Sequence, residues 1–208
     1  MMLDRHSANV LREVHTRPET SAGSVRETVA AVRRRAARAG GLESWAIHLS
    51  LDRTRIVTLE AWRDPGSFRR DPDSREPGSV LYRRAAVGGR DPTPVADADA
   101  GAIIIDIFRV WRPLVRPVSA FNVLNGKAFT RAPGCISTTV LRGATIGQIA
   151  TYARWRTVND FLAAFEANTG RGASSTADVN AATAKMTLGL IRTDYHAHEL
   201  LDASEAFR

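Results

Sequence analysis

Two tryptophans stand in matched surroundings, and each could wall a pocket for a planar ligand. Trp155 closes Ile149-Ala-Thr-Tyr-Ala-Arg-Trp, and Trp62 closes Ile56-Val-Thr-Leu-Glu-Ala-Trp. Alternate side chains of an extended strand share a face. Thr151, Ala153 and Trp155 therefore lie together, as do Thr58, Glu60 and Trp62. Phe161 and Phe68 each follow their Trp by 6 residues, where the chain would fold back. An indole face beside a hydroxyl can hold an aromatic ring and hydrogen-bond its oxygen. The plainer alternative is a Trp that anchors a helix to a sheet.

Acid–base groups are available near the end of the chain. His196 and His198 share one strand face, with Tyr195 on the other. A general base must reach the substrate proton and titrate near the working pH, and imidazole meets the second condition. His48 and Glu60 are the candidates in the first half. Asn122 and Asn125 could hydrogen-bond quinone or phenol oxygens. No dinucleotide fingerprint, phosphate loop, zinc-protease motif or serine nucleophile elbow is present. Two His at i and i+2 make half a metal site, and no third ligand is visible, so no metal is expected. Asn125-Gly-Lys-Ala-Phe129 looks like the basic-aromatic box of an RNA-binding sheet, but the pattern here is helical.

The elements that must position these groups occur twice. Gly41, Ser44, Ile56, Thr58, Trp62, Arg63 and Phe68 are matched 93 positions later by Gly134, Ser137, Ile149, Thr151, Trp155, Arg156 and Phe161. The pairing is read as ungapped from about residue 8 to residue 68. The first copy reads as strand 9–15, helix 25–38, strand 45–51, strand 55–62, a helix from Ser67 cut short by Pro72 and Pro77, and strand 79–87. The second reads as strand 102–110, helix 117–129, strands 136–141 and 149–155, helix 159–168, an extra helix 177–190 and a closing strand 194–201. Each copy is β-α-β-β-α-β, the ferredoxin-like arrangement. The expected fold is α+β, with copies over residues 1–88 and 102–208 and a Gly/Pro/Asp/Ala linker over 89–101. The second copy, better roofed by helices, is the expected active-site half.

Composition narrows the partners. The chain has 208 residues, 44% hydrophobic and 25% charged, which are globular values. The net charge of +7 rests on scattered Arg, since Lys127 and Lys185 are the only lysines. A basic protein suggests nucleic acid at first, but scattered arginines do not make a binding stripe. Neither nucleic acid nor a membrane is expected as partner. Cys135 is the single cysteine, and the first residues carry no apolar stretch like a secretory signal, so a cytoplasmic location is expected.

These motifs resemble the antibiotic-biosynthesis monooxygenase family of dimeric α+β barrels. Pro133-Gly-Cys-Ile-Ser137 is similar to the family's "PGF-S" turn, and Tyr152 through Phe161 to its "Y-x-x-W" strand-to-helix passage. Asp106 to Val110 looks like its first strand. The first copy matches more loosely, through Gly40 to Ser44 and Leu59 to Phe68. The resemblance implies that the two copies form within one chain the barrel that relatives build as dimers. It implies an oxygenase acting on a polycyclic aromatic polyketide in antibiotic or secondary-metabolite biosynthesis, by hydroxylation, quinone formation or ring cleavage. Molecular oxygen would be the oxidant, with no bound cofactor or with reduced flavin (FMNH2 or FADH2) as co-substrate. A flavin reductase partner and a further homodimer are compatible with it. Trp155, Thr151, His196 and His198 would be catalytic; Asn122, Asn125, Phe161, Tyr152, Trp62, Thr58 and Glu60 would bind substrate. The family's Asn before the Trp is Thr151 here, and a Tyr found after it is Phe161. Phe165 stands where haem-degrading relatives place a ligating His. A cyclase or isomerase of the same fold, and a non-catalytic binding module, are the alternatives.

Overall fold

The computed structural model describes residues 8–75, 78–89, 100–144, 147–187 and 191–204. Contacts divide them into two units, one drawn from residues 8–83 and 199–204, the other from 84–89 and 100–198. The class is mixed α+β.

The first unit runs β1 (Ala8–His15), α1 (Ser21–Arg38), β2 (Leu42–Ser50), β3 (Arg55–Trp62), α2 (Pro65–Arg70), a 3-10 turn (Pro72–Arg75) and the start of β4 (Ser79–Gly89). All pairings are antiparallel, in the order β4-β1-β3-β2. Strand β2 ends at Ser50 rather than Leu51. The Ser50 hydroxyl accepts the N–H groups of Thr54 and Arg55, which turns the chain and leaves Leu51 56% exposed. The second unit runs β5 (Ala102–Val110), α3 (Val115–Phe129), β6 (Cys135–Gly143), β7 (Gln148–Trp155), α4 (Val158–Thr169), α5 (Thr176–Met186), β8 (Ile191–Arg192) and the start of β9 (Tyr195–Ala203). Its order is β9-β5-β7-β6, with β8 also on β5. Most of the expected linker, residues 90–99, and the expected end of the last helix, 188–190, lie outside the described residues.

The shared identities have a structural explanation. Gly41 and Gly134 precede a register shift in β2 and in β6, at Leu42/Ser44 and Cys135/Ser137. Each glycine carbonyl accepts the N–H of the Arg after the Trp: Arg63 at 2.9 Å, Arg156 at 2.8 Å. A Cβ on Gly41 would lie 2.4 Å from Ser67, and one on Gly134 2.4 Å from Asp160, so both glycines admit the first turn of a helix. That turn is capped in both cases. The Asp64 carboxylate accepts the Ser67 N–H, and the Thr157 hydroxyl accepts that of Asp160. The G-x-x-S and W-R spacings therefore build a strand–helix clamp.

The ungapped pairing fails in one place. Ala8 faces Trp62, whereas Ala102 faces Trp155. The first strands are thus one residue further apart than the later elements, because the first unit has one more residue between strand and glycine. The counterpart of Asp106, which faces Thr151, is Arg12, which faces Thr58.

Each sheet carries its helices over the face bearing the tryptophans. In the first unit, Val32, Trp45, Ile47, Leu49 and Ile56 form a core under α1, and Ala8, Val10, Trp62 and Phe68 one under α2. In the second, Ile104, Trp155, Phe161, Phe165 and Val179 pack with α4 and α5, and Phe108, Val118, Val140 and Ile149 with α3.

Candidate active site

The helices of the second unit enclose a cavity of about 350 Å³. Its walls come from Phe121, Asn122, Asn125 and Phe129 of α3, Phe165 of α4, Thr183 and Met186 of α5, and Phe108 and Tyr195 of the sheet. This is near the lower end of small-molecule sites and suits one compact planar ring system. Asn122 lines the cavity, is buried, and its amide nitrogen donates to the Val118 carbonyl. Asn125 is half-buried on the same wall.

Trp155 does not line this space. It forms the layer behind, edge-on to Phe129 at 5.9 Å and to Phe161 at 5.7 Å. Phe161 in turn lies 6.0 Å from Tyr195. The Trp155 indole N–H has no acceptor among the described residues, and the ring is fully buried.

The chemistry that the sequence reading left without a role is Asp106. Within β5 the run Ala-Ile-Ile-Ile-Asp-Ile-Phe holds one carboxylate among apolar residues, and that isolation was the available signal. Its side chain is completely buried on the helix-covered face, opposite Thr151 of β7 and Tyr195 of β9. Oδ1 accepts the Asp194 N–H at 2.9 Å. Oδ2 has no partner at ordinary hydrogen-bond distance among the described residues. Burial pushes this carboxyl up to about 8, against the pull of the Asp194 and Ile107 N–H groups and the Tyr195 phenol. The same burial, with Asp106 beside it, holds the Tyr195 phenol well above its ordinary value. Both shifts favour the protonated form.

Helix α5, which has no counterpart among the described residues of the first unit, fixes Tyr195 in place. The Asn180 side chain accepts the Tyr195 N–H at 2.8 Å and donates to the Tyr195 carbonyl at 3.1 Å. It thereby does the work of a neighbouring strand where β9 begins. The Tyr195 ring is edge-on to Phe108 at 5.8 Å.

The two histidines lie on the other face of the sheet, away from Tyr195 and Trp155. His196 faces Ile105 and His198 faces Ile103. His196 Nε2 meets Asp194 Oδ1 at 2.9 Å, and His198 Nδ1 donates to the His196 carbonyl at 2.9 Å. Tyr152 is also on that face, buried, with its phenol raised by desolvation. Thr151 is half-buried between Asp106 and Val140, on the cavity side. The structure therefore brings Asn122, Asn125, Phe161 and Thr151 around or behind one cavity, and sets His196, His198 and Tyr152 apart from it.

The equivalent face of the first unit holds charges. Glu60 Oε1 accepts from Arg35 at 2.5 Å, and Glu60 Oε2 accepts the Trp62 indole N–H at 3.0 Å. Arg35 also reaches Asp73 at 3.1 Å and Asp71 at 3.6 Å, and Arg12 donates to the Asp73 carbonyl. Thr58 is buried beside them. His48 is buried on the opposite face, and desolvation lowers its imidazole to about 4, so it is neutral. Among the described residues, no group of three His, Cys, Asp or Glu could hold a metal ion, and no helix is long and apolar enough to cross a membrane.

The fold of these two units, antiparallel sheets each covered by helices on one face, is similar to that of several solved structures described as monooxygenase-like. An anthrone oxidase-like protein superposes with a TM-score of 0.72 at 13% identity, covering 99% of this chain and 95% of its own. A ferredoxin-fold protein from Listeria monocytogenes, related to antibiotic-biosynthesis monooxygenases, gives 0.53 at 9% identity over 96% and 99%. A monooxygenase-like protein from Listeria innocua gives 0.53 at 8% identity over 94% and 96%. At such identities the likeness establishes the fold. No family model and no curated protein sequence matches the chain.

Proposed function

We propose that this protein is an oxygenase for a planar aromatic ketone or phenol, working in the cavity of the second unit. The observation that carries the reading is an apolar, aromatic-walled cavity with Tyr195 in its wall and the carboxyl of Asp106 buried next to that phenol. The fold shared with an anthrone oxidase-like protein supports it. An electron-rich carbanion can reduce oxygen once it is formed and kept from water. For a doubly benzylic methylene across the ring from a carbonyl, as in anthrone, the balance is CH2 + O2 → C=O + H2O. The two C–H bonds break, one oxygen atom enters the product and the other leaves as water. The chain's part is to orient the ring, remove water and stabilise the anion.

The finer reading follows the family resemblance. The substrate is a polycyclic aromatic polyketide on an antibiotic or other secondary-metabolite pathway in the cytoplasm. The reading without a bound flavin is preferred because it needs no reactant beyond substrate and oxygen. Reduced flavin, supplied by a reductase, is tested as a diffusible co-substrate. Acid–base chemistry without oxygen, a cyclase or isomerase, is the second reading, favoured by the protonated Asp106 and Tyr195 pair.

Oxygen uptake with anthrone, with and without a reduced-flavin supply, tests the proposal. Uptake matched by quinone formation is expected without flavin. Uptake only with flavin replaces the preferred cofactor reading. No uptake under either condition overturns the oxygenase, and conversion under nitrogen would establish the acid–base alternative.

A further inference from the structure

Tyr195 and Asp106 are placed to do something more specific than line a cavity. Tyr195 contributes to the cavity wall, and its backbone is held on both sides by Asn180. Asp106 lies one strand away on the same face, completely buried, with one oxygen engaged by a backbone N–H and the other without a partner at ordinary distance among the described residues. A carboxylate left so would be costly in this setting, whereas a carboxylic acid can donate from the unengaged oxygen. Other charges nearby do not reverse this. Asp194, the nearest other carboxylate, is engaged by His196 at 2.9 Å and approached by Arg109 at 4.0 Å. Thr151, facing Asp106 from β7, carries no charge.

We propose that Tyr195 and Asp106 form an oxyanion-holding pair, in which the buried acid of Asp106 supports the Tyr195 hydroxyl as it donates to the enolate or phenolate oxygen of a planar ligand. The proposal rests on the functional reading above for where the ligand sits, and it names the ligand's class: a molecule whose oxygen becomes negative when a proton is lost. Two neutral donors in an apolar site favour the anion without adding a charge of their own. Tyr195 is the residue that touches the ligand. Asp106 acts through it, and Asn180 positions it.

The test uses 2-hydroxyanthraquinone, whose visible band reports ionisation, bound to the full chain. The ionisation midpoint of the bound probe is expected to fall by at least one pH unit relative to free probe, a tenfold gain for the anion. Tyr195→Phe should return it to the free value, and Asp106→Leu should remove about half of the shift. Asp106→Asn, whose amide can still donate, should keep most of it, and this variant serves if the leucine variant does not fold. An unshifted midpoint in the folded wild type, no binding of the probe, or a Tyr195→Phe protein that retains the shift would each overturn the pair. If the shift is present and Tyr195-dependent while anthrone consumes no oxygen, the pair stands and the oxygenase reading alone falls.

Discussion

The two units use the same strands and the same Trp clamp, yet they fill the space beneath their helices in opposite ways. In the first, Arg35 enters from α1 and meets Glu60, Asp71 and Asp73, and Trp62 donates into that network. In the second, the residue 93 positions after Glu60 is Ala153, and the residue 93 after Arg35 is Ala128. Trp155 consequently has no acceptor among the described residues. The buried residue facing the β-strand Thr is Arg12 in one unit and Asp106 in the other. One copy of the plan is a charge-locked core, and the other keeps a cavity beside a protonated acid. The open site goes with two differences: alanines stand where the first unit has Arg35 and Glu60, and α5 adds Thr183 and Met186 to the cavity wall.

The largest expected effect breaks the locked unit. Glu60→Ala leaves Arg35 buried without its shortest partner and should cost about 3–5 kcal/mol, read as a drop in the urea midpoint. Replacing the pair together, Arg35→Met with Glu60→Leu, should cost less than the single change, since Arg35 is then not left buried without Glu60, although Asp71 and Asp73 lose its charge and Trp62 its acceptor. If the double variant is as unstable as the single, packing rather than charge pairing holds that face.

Catalysis should depend on the other unit. Tyr195→Phe is expected to lower kcat by roughly 100-fold, as for loss of one oxyanion donor, with KM nearly unchanged and the melting curve intact. Glu60→Ala, measured below its melting point, should not reproduce that loss of kcat.

Titration gives the comparison a sign. Asp106 has its carboxyl raised from 3.8 to about 8 in the folded state. Between those values the unfolded chain ionises first, so this residue lowers stability as pH rises from about 4 to about 8. Asp106→Asn should remove that slope and stabilise the protein at pH 8 by on the order of 1–3 kcal/mol, each pKa unit being worth ~1.4 kcal/mol and the amide forfeiting part of the gain. His48 works the other way. Its imidazole is lowered from 6.5 to about 4, so stability falls as pH drops through that window, and His48→Gln should flatten it. Thermal melts from pH 4 to pH 9 on both variants would separate the two slopes.

The smallest effect is the sharpest comparison. Trp62→Phe removes a donor that Glu60 uses, while Trp155→Phe removes an N–H with no acceptor among the described residues. The first should therefore cost about 1 kcal/mol more than the second. Equal costs would mean that the two tryptophans are held alike.

Local pattern was enough for the elements. The alternation of Arg55 to Trp62 marks β3 as observed, and the prolines after Ser67 shorten α2 as read. Helices begin a few residues earlier than periodicity suggests: at Ser21, where Ser-Ala-Gly-Ser carries no apolar period, and at Val115, two residues before the proline that marks a helix start. Asn122 and Asn125 were picked out by residue type, and they do line the cavity. His196 and His198 were picked out the same way, but strand alternation sets them on the face away from it. Asp106 has no motif spacing in the sequence, only its isolation in an apolar strand.

Chain order alone thus specifies where strands and helices form, which tryptophans they share and where glycine must admit a helix. These depend on contacts between residues near in sequence, and on backbone sterics that act at each residue. Whether a buried acid is charged, which face a histidine takes relative to a cavity, and whether Arg35 finds Glu60 are decided by the fold. Register across strands brings together residues as distant as Asp106 and Tyr195, and only there does the exclusion of water make a carboxyl hold its proton.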